Sequence, residues 1–299
     1  MMKTLVVVIG PTGVGKTATS IALARHYGTA VINADSRQMF RELPIGTAAP
    51  TADEQAGVKH YFVGNLSIED YYSAAMYEAD ALKIISQQHE TNNIALLSGG
   101  SMMYIDAVCK GIDDIPTIDD DTRHRIKQIY ESEGLAPLLA DLQKLDPEYY
   151  DIVDKQNTRR VIHALEICEM TGKTYTSFRV SEKKQRPFKI IKIGLNLPRE
   201  QLYERINARV IAMVKAGLIE EAKSVYPQKG LNALNTVGYK EMFAYFDGEI
   251  SLEEAIRQIQ SNSRRYCRKQ LTWYRRDEEV QWFTPTATDA IINYIDNNR

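Results

Sequence analysis

Along the first hundred residues, short unbroken apolar runs alternate with stretches of helical periodicity. Residues 5–9 read as a buried strand, 17–26 as a helix and 30–35 (AVINAD) as a second strand. Residues 60–66 (HYFVGNL) are a candidate third strand, and 93–100 (NIALLSGG) are another. Between them, residues 67–70 (SIED) have the form of a capping box opening a helix that runs to about residue 89. Strands alternating with helices imply a parallel sheet with right-handed crossovers.

The pattern changes near Gly111, where a polar, turn-rich stretch begins. Helical periodicity follows at 120–133, 135–145 and 157–171, with Asn157 as an N-cap and Gly172 as the residue past the end. A basic link holding Lys183, Lys184, Arg186 and Lys189 leads into a strand-like run at 190–197. Pro198 then opens a helix that Gly217 ends. A last long helix starts at Ser251, again with a capping-box sequence, SLEE. The expected fold is α/β: a P-loop NTPase-like parallel sheet flanked by helices. The expected core is 1–112 with 189–299, and 113–188 is expected to be an inserted helical domain.

The 299 residues are 44% hydrophobic, enough for a sizeable core. Net charge is −2, so any nucleic-acid partner must be met by a local basic patch. The three cysteines, Cys109, Cys168 and Cys267, lack metal-ligand spacing, and their odd number argues against a disulfide framework. No stretch has the length and apolarity of a membrane span, and the N-terminal apolar run is too short for a signal peptide. A cytoplasmic, monomeric protein without a membrane partner is expected.

Residues 10–17 (GPTGVGKT) fit G-x-x-x-x-G-K-[ST] and follow a strand, the setting of a phosphate-cradling loop. Gly10, Pro11, Thr12, Gly13, Val14 and Gly15 offer backbone, Lys16 adds a charge, and Thr17 offers a hydroxyl to Mg²⁺. An ATPase would need an acid ending a neighbouring strand. The stretch 93–102 (NIALLSGGSM) ends its apolar run in Ser98, Gly99, Gly100 and Ser101 and carries none. The acid is Asp35, at the end of the second strand. In an open parallel sheet that end borders the ligand crevice, where Asp35 can take a proton from an acceptor nucleophile. A helix cap or a salt bridge is the plainer role for it. Ser36, Arg37 and Gln38 follow, and Arg and Gln suit base edges or phosphates.

Residues 255–276 hold seven basic side chains and no acidic one. Arg257, Arg264, Arg268 and Arg275 share a face by helical spacing, and Leu252, Ile256, Ile259, Tyr266 and Leu271 fall on the other. Tyr266, Trp273 and Tyr274 interleave with the charges, a combination that suits single-stranded RNA; a solvated helix face is the alternative. Arg159 and Arg160 form a further basic cluster at a helix start.

Taken together, these stretches resemble the tRNA dimethylallyltransferase (tRNA isopentenyltransferase) family in its bacterial form. The likeness runs collinearly through 10–17, 35–50 (DSRQMFRELPIGTAAP), 98–112 (SGGSMMYIDAVCKGI), 157–174, 234–242 (LNTVGYKEM) and 268–276 (RKQLTWYRR). It implies transfer of a dimethylallyl group from dimethylallyl diphosphate to the exocyclic N6 amine of the adenosine immediately 3′ of the anticodon. The loop then holds the donor's pyrophosphate with Mg²⁺, and Asp35 is the general base. By resemblance Arg205 joins the phosphate clamp, with Arg209 one turn on. Ser101 stands where the family usually has Thr, and without the methyl its rotamer is less constrained. Asp35, Ser36, Arg37, Gln38, Ser101, Arg123, Arg159, Arg160, Val161, Ile162, His163, Gly238, Tyr239 and Lys240 are implied to face tRNA, and Arg264 and Arg268 join them from the basic helix. His163 stands where an Arg is expected. Three other readings stay open at this level: an adenylate isopentenyltransferase acting on free AMP, ADP or ATP, a small-molecule P-loop kinase, and a non-catalytic RNA-binding protein.

Overall fold

The computed structural model describes residues 2–179 and 184–299. Lys183 of the basic link lies outside the described residues. The chain divides into two compact units, one formed by Met1–Lys110 with Gln185–Arg299 and the other by Gly111–Lys184.

The larger unit is built on a six-stranded, all-parallel sheet in the order β3-β2-β4-β1-β5-β6. The strands are β1 (Thr4–Ile9), β2 (Val31–Asn33), β3 (His60–Tyr61), β4 (Ile94–Gly99), β5 (Lys189–Leu195) and β6 (Val280–Phe283). Central β1 is buried along its length because both its faces are covered, which is why its sequence is an unbroken apolar run rather than an alternation. Leu5, Val7 and Ile9 pack with Tyr77, Ile85 and Tyr104 on one face. Val6 and Val8 pack with Val14, Leu23 and Ile193 on the other. The parallel register sets Ile9 beside Gly99 and Gly194, so the C-terminal strand ends gather at one edge.

Two expectations are corrected. The candidate third strand shrinks to His60–Tyr61, since Phe62 takes a positive φ of 62° and turns the chain away. The SIED sequence does not open a helix. Only half of the box forms: Ser67 N donates to Asp70 Oδ2 at 2.7 Å, while Asp70 N donates to the Ser67 backbone carbonyl at 3.0 Å and so closes a turn. The helix starts at Ala74 behind Ser73, whose hydroxyl accepts the Met76 N–H. The Ser67 hydroxyl instead donates to Glu42 Oε1 at 3.1 Å, fixing the turn to the preceding loop.

Several elements carried too short a pattern to stand out. The Met102–Lys110 helix starts behind Ser101, and short β6 is followed by the Thr288–Asn298 helix. The long basic helix runs Leu252–Tyr274, with the Ser251 hydroxyl accepting Glu254 N–H. It buries Ala255, Ile259, Cys267, Gln270 and Tyr274, not Tyr266, which stays half-exposed.

The smaller unit has a helical core of its own, including Ile126, Leu138, Leu142, Val161 and Leu165. Asp146 is fully buried there. It accepts Tyr149 N–H, Thr176 N–H and the Thr176 hydroxyl, tying the start of the Pro147–Ile152 helix to the short Tyr175–Phe178 helix. Asn157 caps the Thr158–Thr171 helix, and Gly172 ends it at a φ of 66°. Among the described residues, the three cysteines are free and buried, and no helix is long and apolar enough to cross a membrane.

Candidate active site

The loop of residues 10–17 leaves β1 under tight steric control. Gly10 has a φ of 156°, and a Cβ there would lie 2.7 Å from the Leu195 carbonyl oxygen of β5, so no larger residue fits. Buried Val14 anchors the loop, and Gly15 leads into the Lys16–Tyr27 helix. Lys16 Nζ donates to the Gly10 and Pro11 carbonyls, each at 3.0 Å. Burial pushes the Lys16 ammonium down to about 8; Asp35 opposes this and Arg209 adds to it. Thr17 presents an exposed hydroxyl in the first helical turn. A Cβ on Gly15 would lie 3.6 Å from the guanidinium of Arg205, so Arg205 flanks the loop from outside.

At the end of β4, where an ATPase would carry its acid, Ser20 and Ser98 share a hydroxyl–hydroxyl hydrogen bond of 2.7 Å. The acid is supplied one strand over. Tyr77 donates to the Asn33 carbonyl at 2.8 Å and stacks on Tyr104, which pins the end of β2. Asp35 follows two residues later. Its Oδ1 accepts Arg37 N–H at 3.0 Å, closing a local turn, and its other oxygen has no hydrogen-bond partner among the described residues. Ser101 is buried beside it. Its Oγ accepts Ser36 N–H at 2.8 Å and donates to the Ser36 hydroxyl at 3.1 Å.

Asp35, Ser36 and Ser101 line one cavity of about 610 Å³ together with Thr12 of the 10–17 loop. Arg37, Lys240, Arg209, Arg265 and Lys269 also reach it, giving a carboxylate in a basic surround. Burial lowers the Arg209 pKa, and Asp35 works against that shift. Tyr266 faces the same space, its hydroxyl donating to Gly100 O at 3.4 Å. Burial raises its pKa, and Asp35 raises it further, so the phenol stays protonated.

The structure does not gather every expected residue here. Gln38 turns away, its amide donating to the Thr47 and Ala48 carbonyls. Tyr239 is fully buried, its hydroxyl donating to Glu221 Oε1 at 2.6 Å, with Gly46 packed on its ring. Gly238 is buried too and spends its N–H on Glu241. Of the 238–240 stretch, Lys240 is the residue that lines the cavity. Arg264 donates to Asn207 and Arg268 to the Tyr203 hydroxyl, so they bracket the neighbouring helix while Arg265 and Lys269 take the cavity side. Helical spacing identified a basic surface, and because Cys267 and Gln270 rather than Tyr266 are buried, it is Arg265 and Lys269 that turn to the cavity.

In the smaller unit, Val161 is fully buried in the core and Ile162 packs against it, so the Val161 side chain is not a surface contact. Arg159 and Arg160 are exposed at the helix start, and Arg123 is half-buried. Burial, and then Arg123, lower the His163 pKa, and its ring meets Tyr175 edge-on. Glu166, held 6% exposed nearby, has its pKa raised by burial against the pull of Arg123.

The parallel α/β sheet brings the 10–17 loop and the Asp35 carboxylate together at the C-terminal ends of its strands, where open α/β sheets bind their ligands. Residues 38–277 match the family model described as IPP transferase. The tRNA dimethylallyltransferase 1 of Phocaeicola vulgatus is 59% identical over 295 residues, spanning 99% of this chain and 98% of that protein. The enzyme of the same name from Bacteroides fragilis is 57% identical, spanning 98% and 97%. The full-length tRNA isopentenylpyrophosphate transferase of Bacillus halodurans is 38% identical, with a TM-score of 0.72, covering 99% of this chain and 96% of that one. A eukaryotic dimethylallyltransferase acting on tRNA, at 24% identity and a TM-score of 0.82, shares the fold. The chain belongs to the IPP transferase family. It is a transferase enzyme.

Proposed function

We propose that this chain is a tRNA dimethylallyltransferase whose phosphate loop holds the donor's pyrophosphate and whose Asp35 receives a proton from the acceptor amine. The observation that carries the reading is the sharing of one cavity by Thr12 of the loop, Asp35 and Ser101. The curated relatives, named as acting on tRNA over their whole length, support the acceptor class.

The adenine amine is a weak nucleophile, because its lone pair is delocalised into the ring. Its N6 attacks C1 of dimethylallyl diphosphate, the C1–O bond breaks, and pyrophosphate leaves with the bonding pair. The N6 proton passes to the free oxygen of Asp35. Ser101 holds the Ser36 backbone and so fixes the turn that carries Asp35. Lys16 and the loop amides, with Arg205 and Arg209, stabilise the charge on the leaving group. Mg²⁺ suits the exposed Thr17 hydroxyl, since this hard cation completes its shell with phosphate oxygens and water. When bound, it supplies further charge neutralisation at the pyrophosphate. The acceptor adenosine is the one 3′ of the anticodon; it lies in a single-stranded loop, which lowers the cost of unstacking it to about a few kcal/mol. Arg37, Lys240, Arg265 and Lys269 receive the RNA at the cavity, and Arg123, Arg159 and Arg160 do so on the helical unit.

The test uses purified protein, Mg²⁺ and labelled dimethylallyl diphosphate, with unmodified tRNA and AMP offered in parallel. Label in the tRNA alone, mapped to the adenosine after the anticodon, is the expected result. Label in AMP moves the chain to the free-nucleotide reading. ATP consumption without transfer contradicts both.

A further inference from the structure

Gln270 sits in the middle of the basic stretch, yet it is 1% exposed. Both ends of its amide are engaged, each with a different loop far away in sequence. Oε1 accepts the Thr12 N–H at 2.8 Å, and Nε2 donates to the Gly100 carbonyl at 2.8 Å. Thr12 belongs to the phosphate loop. Gly100 precedes Ser101, which holds the Ser36 backbone beside Asp35. Tyr266, one turn earlier on the same helix, donates to the same Gly100 carbonyl at 3.4 Å.

The approach leaves no room for a side chain. A Cβ on Gly100 would lie 2.5 Å from Gln270 Nε2 and 3.6 Å from Lys16 Nζ. The amide is also chemically specific. It offers an acceptor to an N–H and a donor to a carbonyl from one planar group, which carboxylate, ammonium and thioether side chains do not.

We propose that Gln270 is a positioning residue for the transfer, setting the separation of the donor loop from the loop that supports Asp35. This rests on the proposed function, in which Thr12 and Asp35 serve the two substrates. The Leu252–Tyr274 helix acts as a rigid spacer, and the buried amide is the clamp at its middle. Reacting atoms must meet within about 3–3.5 Å, and a displacement of about 1 Å costs on the order of 10²-fold in rate. In that reading each loop serves one substrate, so the effect of Gln270 falls on the transfer step rather than on binding of either substrate alone.

The test is single-turnover transfer at saturating tRNA and donor, with donor binding measured separately using a non-transferable thio-analogue. Gln270→Met removes both bonds at similar volume, and Gln270→Glu keeps the Thr12 contact while setting an oxygen against Gly100 O. Both are expected to lower the transfer rate by on the order of 10²-fold while donor affinity changes by less than about 3-fold. Should these variants not fold, Gly100→Ala carries the test by pressing on the same amide from the other loop, and it is expected to give the same split. The double variant Gly100→Ala/Gln270→Met is expected to be no slower than the worse single variant. Folded variants that transfer at the wild-type rate, or single effects that multiply in the double, overturn the inference. Wild-type protein that transfers no label to tRNA contradicts the proposed function instead.

Discussion

Gly99 lies against Ala34 so closely that a Cβ at position 99 would sit 2.2 Å from the Ala34 carbonyl oxygen. Ala34 N donates to Ser98 O at 2.7 Å, and Ser101 N donates to Ala34 O at 3.0 Å. The ends of β2 and β4 are therefore laced together just where each delivers its residue to the cavity, Asp35 from one and Ser101 from the other. Neither backbone can yield without moving one of them. Gly99→Ala is expected to destabilise the protein by about 1–3 kcal/mol, as overpacking against rigid neighbours does. Transfer activity of the folded fraction should fall as well. Gly230→Ala, where a Cβ meets nothing within 4 Å, is the control and should stay within about 0.5 kcal/mol. Denaturant titration with activity assayed alongside checks the pair.

Lys16 gives a pH dependence with a definite sign. Its ammonium is held at about 8, so the positive charge is present below that pH and is lost as pH rises through it. Donor pyrophosphate restores the charge on binding, because an anion beside an ammonium favours the protonated form. The break should therefore appear in kcat/KM for the donor, which reports the free enzyme, and not in kcat. Above about pH 8, kcat/KM is expected to fall about tenfold per unit. A profile flat to about pH 9.5 would show that Lys16 keeps its proton without the donor, against its buried setting.

The basic helix divides into two sides with different expected effects. Arg265 and Lys269 line the cavity, whereas Arg264 and Arg268 are engaged with Asn207 and Tyr203 on the adjoining helix. Replacing Arg265 and Lys269 by Gln should weaken tRNA binding and reduce the salt slope by about 1.4, the value for two single-strand phosphate contacts. The Arg264 and Arg268 pair should change the slope by less than about half as much. Equal slopes for the two double variants would return the helix to an undifferentiated charged face.

Much of this was legible in the sequence where the physics is local. The apolar run of β1, the glycine pattern of the phosphate loop, the Asn157 and Ser251 caps and the strand-end position of Asp35 all depend on neighbouring residues. SIED misled because the Asp70 carboxylate takes the Ser67 N–H as in a capping box, while the Asp70 N–H goes to the Ser67 carbonyl and closes a turn instead. Tyr239 and Val161 sit in stretches that resemble family signatures, yet both are core residues, since a signature mixes contact positions with the packing that supports them. Gln270 lies in the 268–276 stretch that resembles a family signature, but nothing local shows what its side chain does. Its partners, Thr12 and Gly100, are distant in sequence, and a polar residue in a basic stretch reads as solvated until the fold buries it. Arg209 had the helical spacing from Arg205 that suggests a clamp, but only the packing shows that it reaches the cavity while Arg205 stays outside, beside Gly15.

The central claim is that one cavity holds the donor through the phosphate loop and activates the acceptor through Asp35. Asp35→Asn tests it most directly, because it keeps the shape and an acceptor for the Arg37 N–H while removing the base. Single-turnover prenyl transfer to tRNA and equilibrium donor binding should be measured on the same preparation. Transfer slower by at least about 10²-fold with donor affinity unchanged is the predicted result. Transfer near the wild-type rate would remove Asp35 from the chemistry and contradict the account.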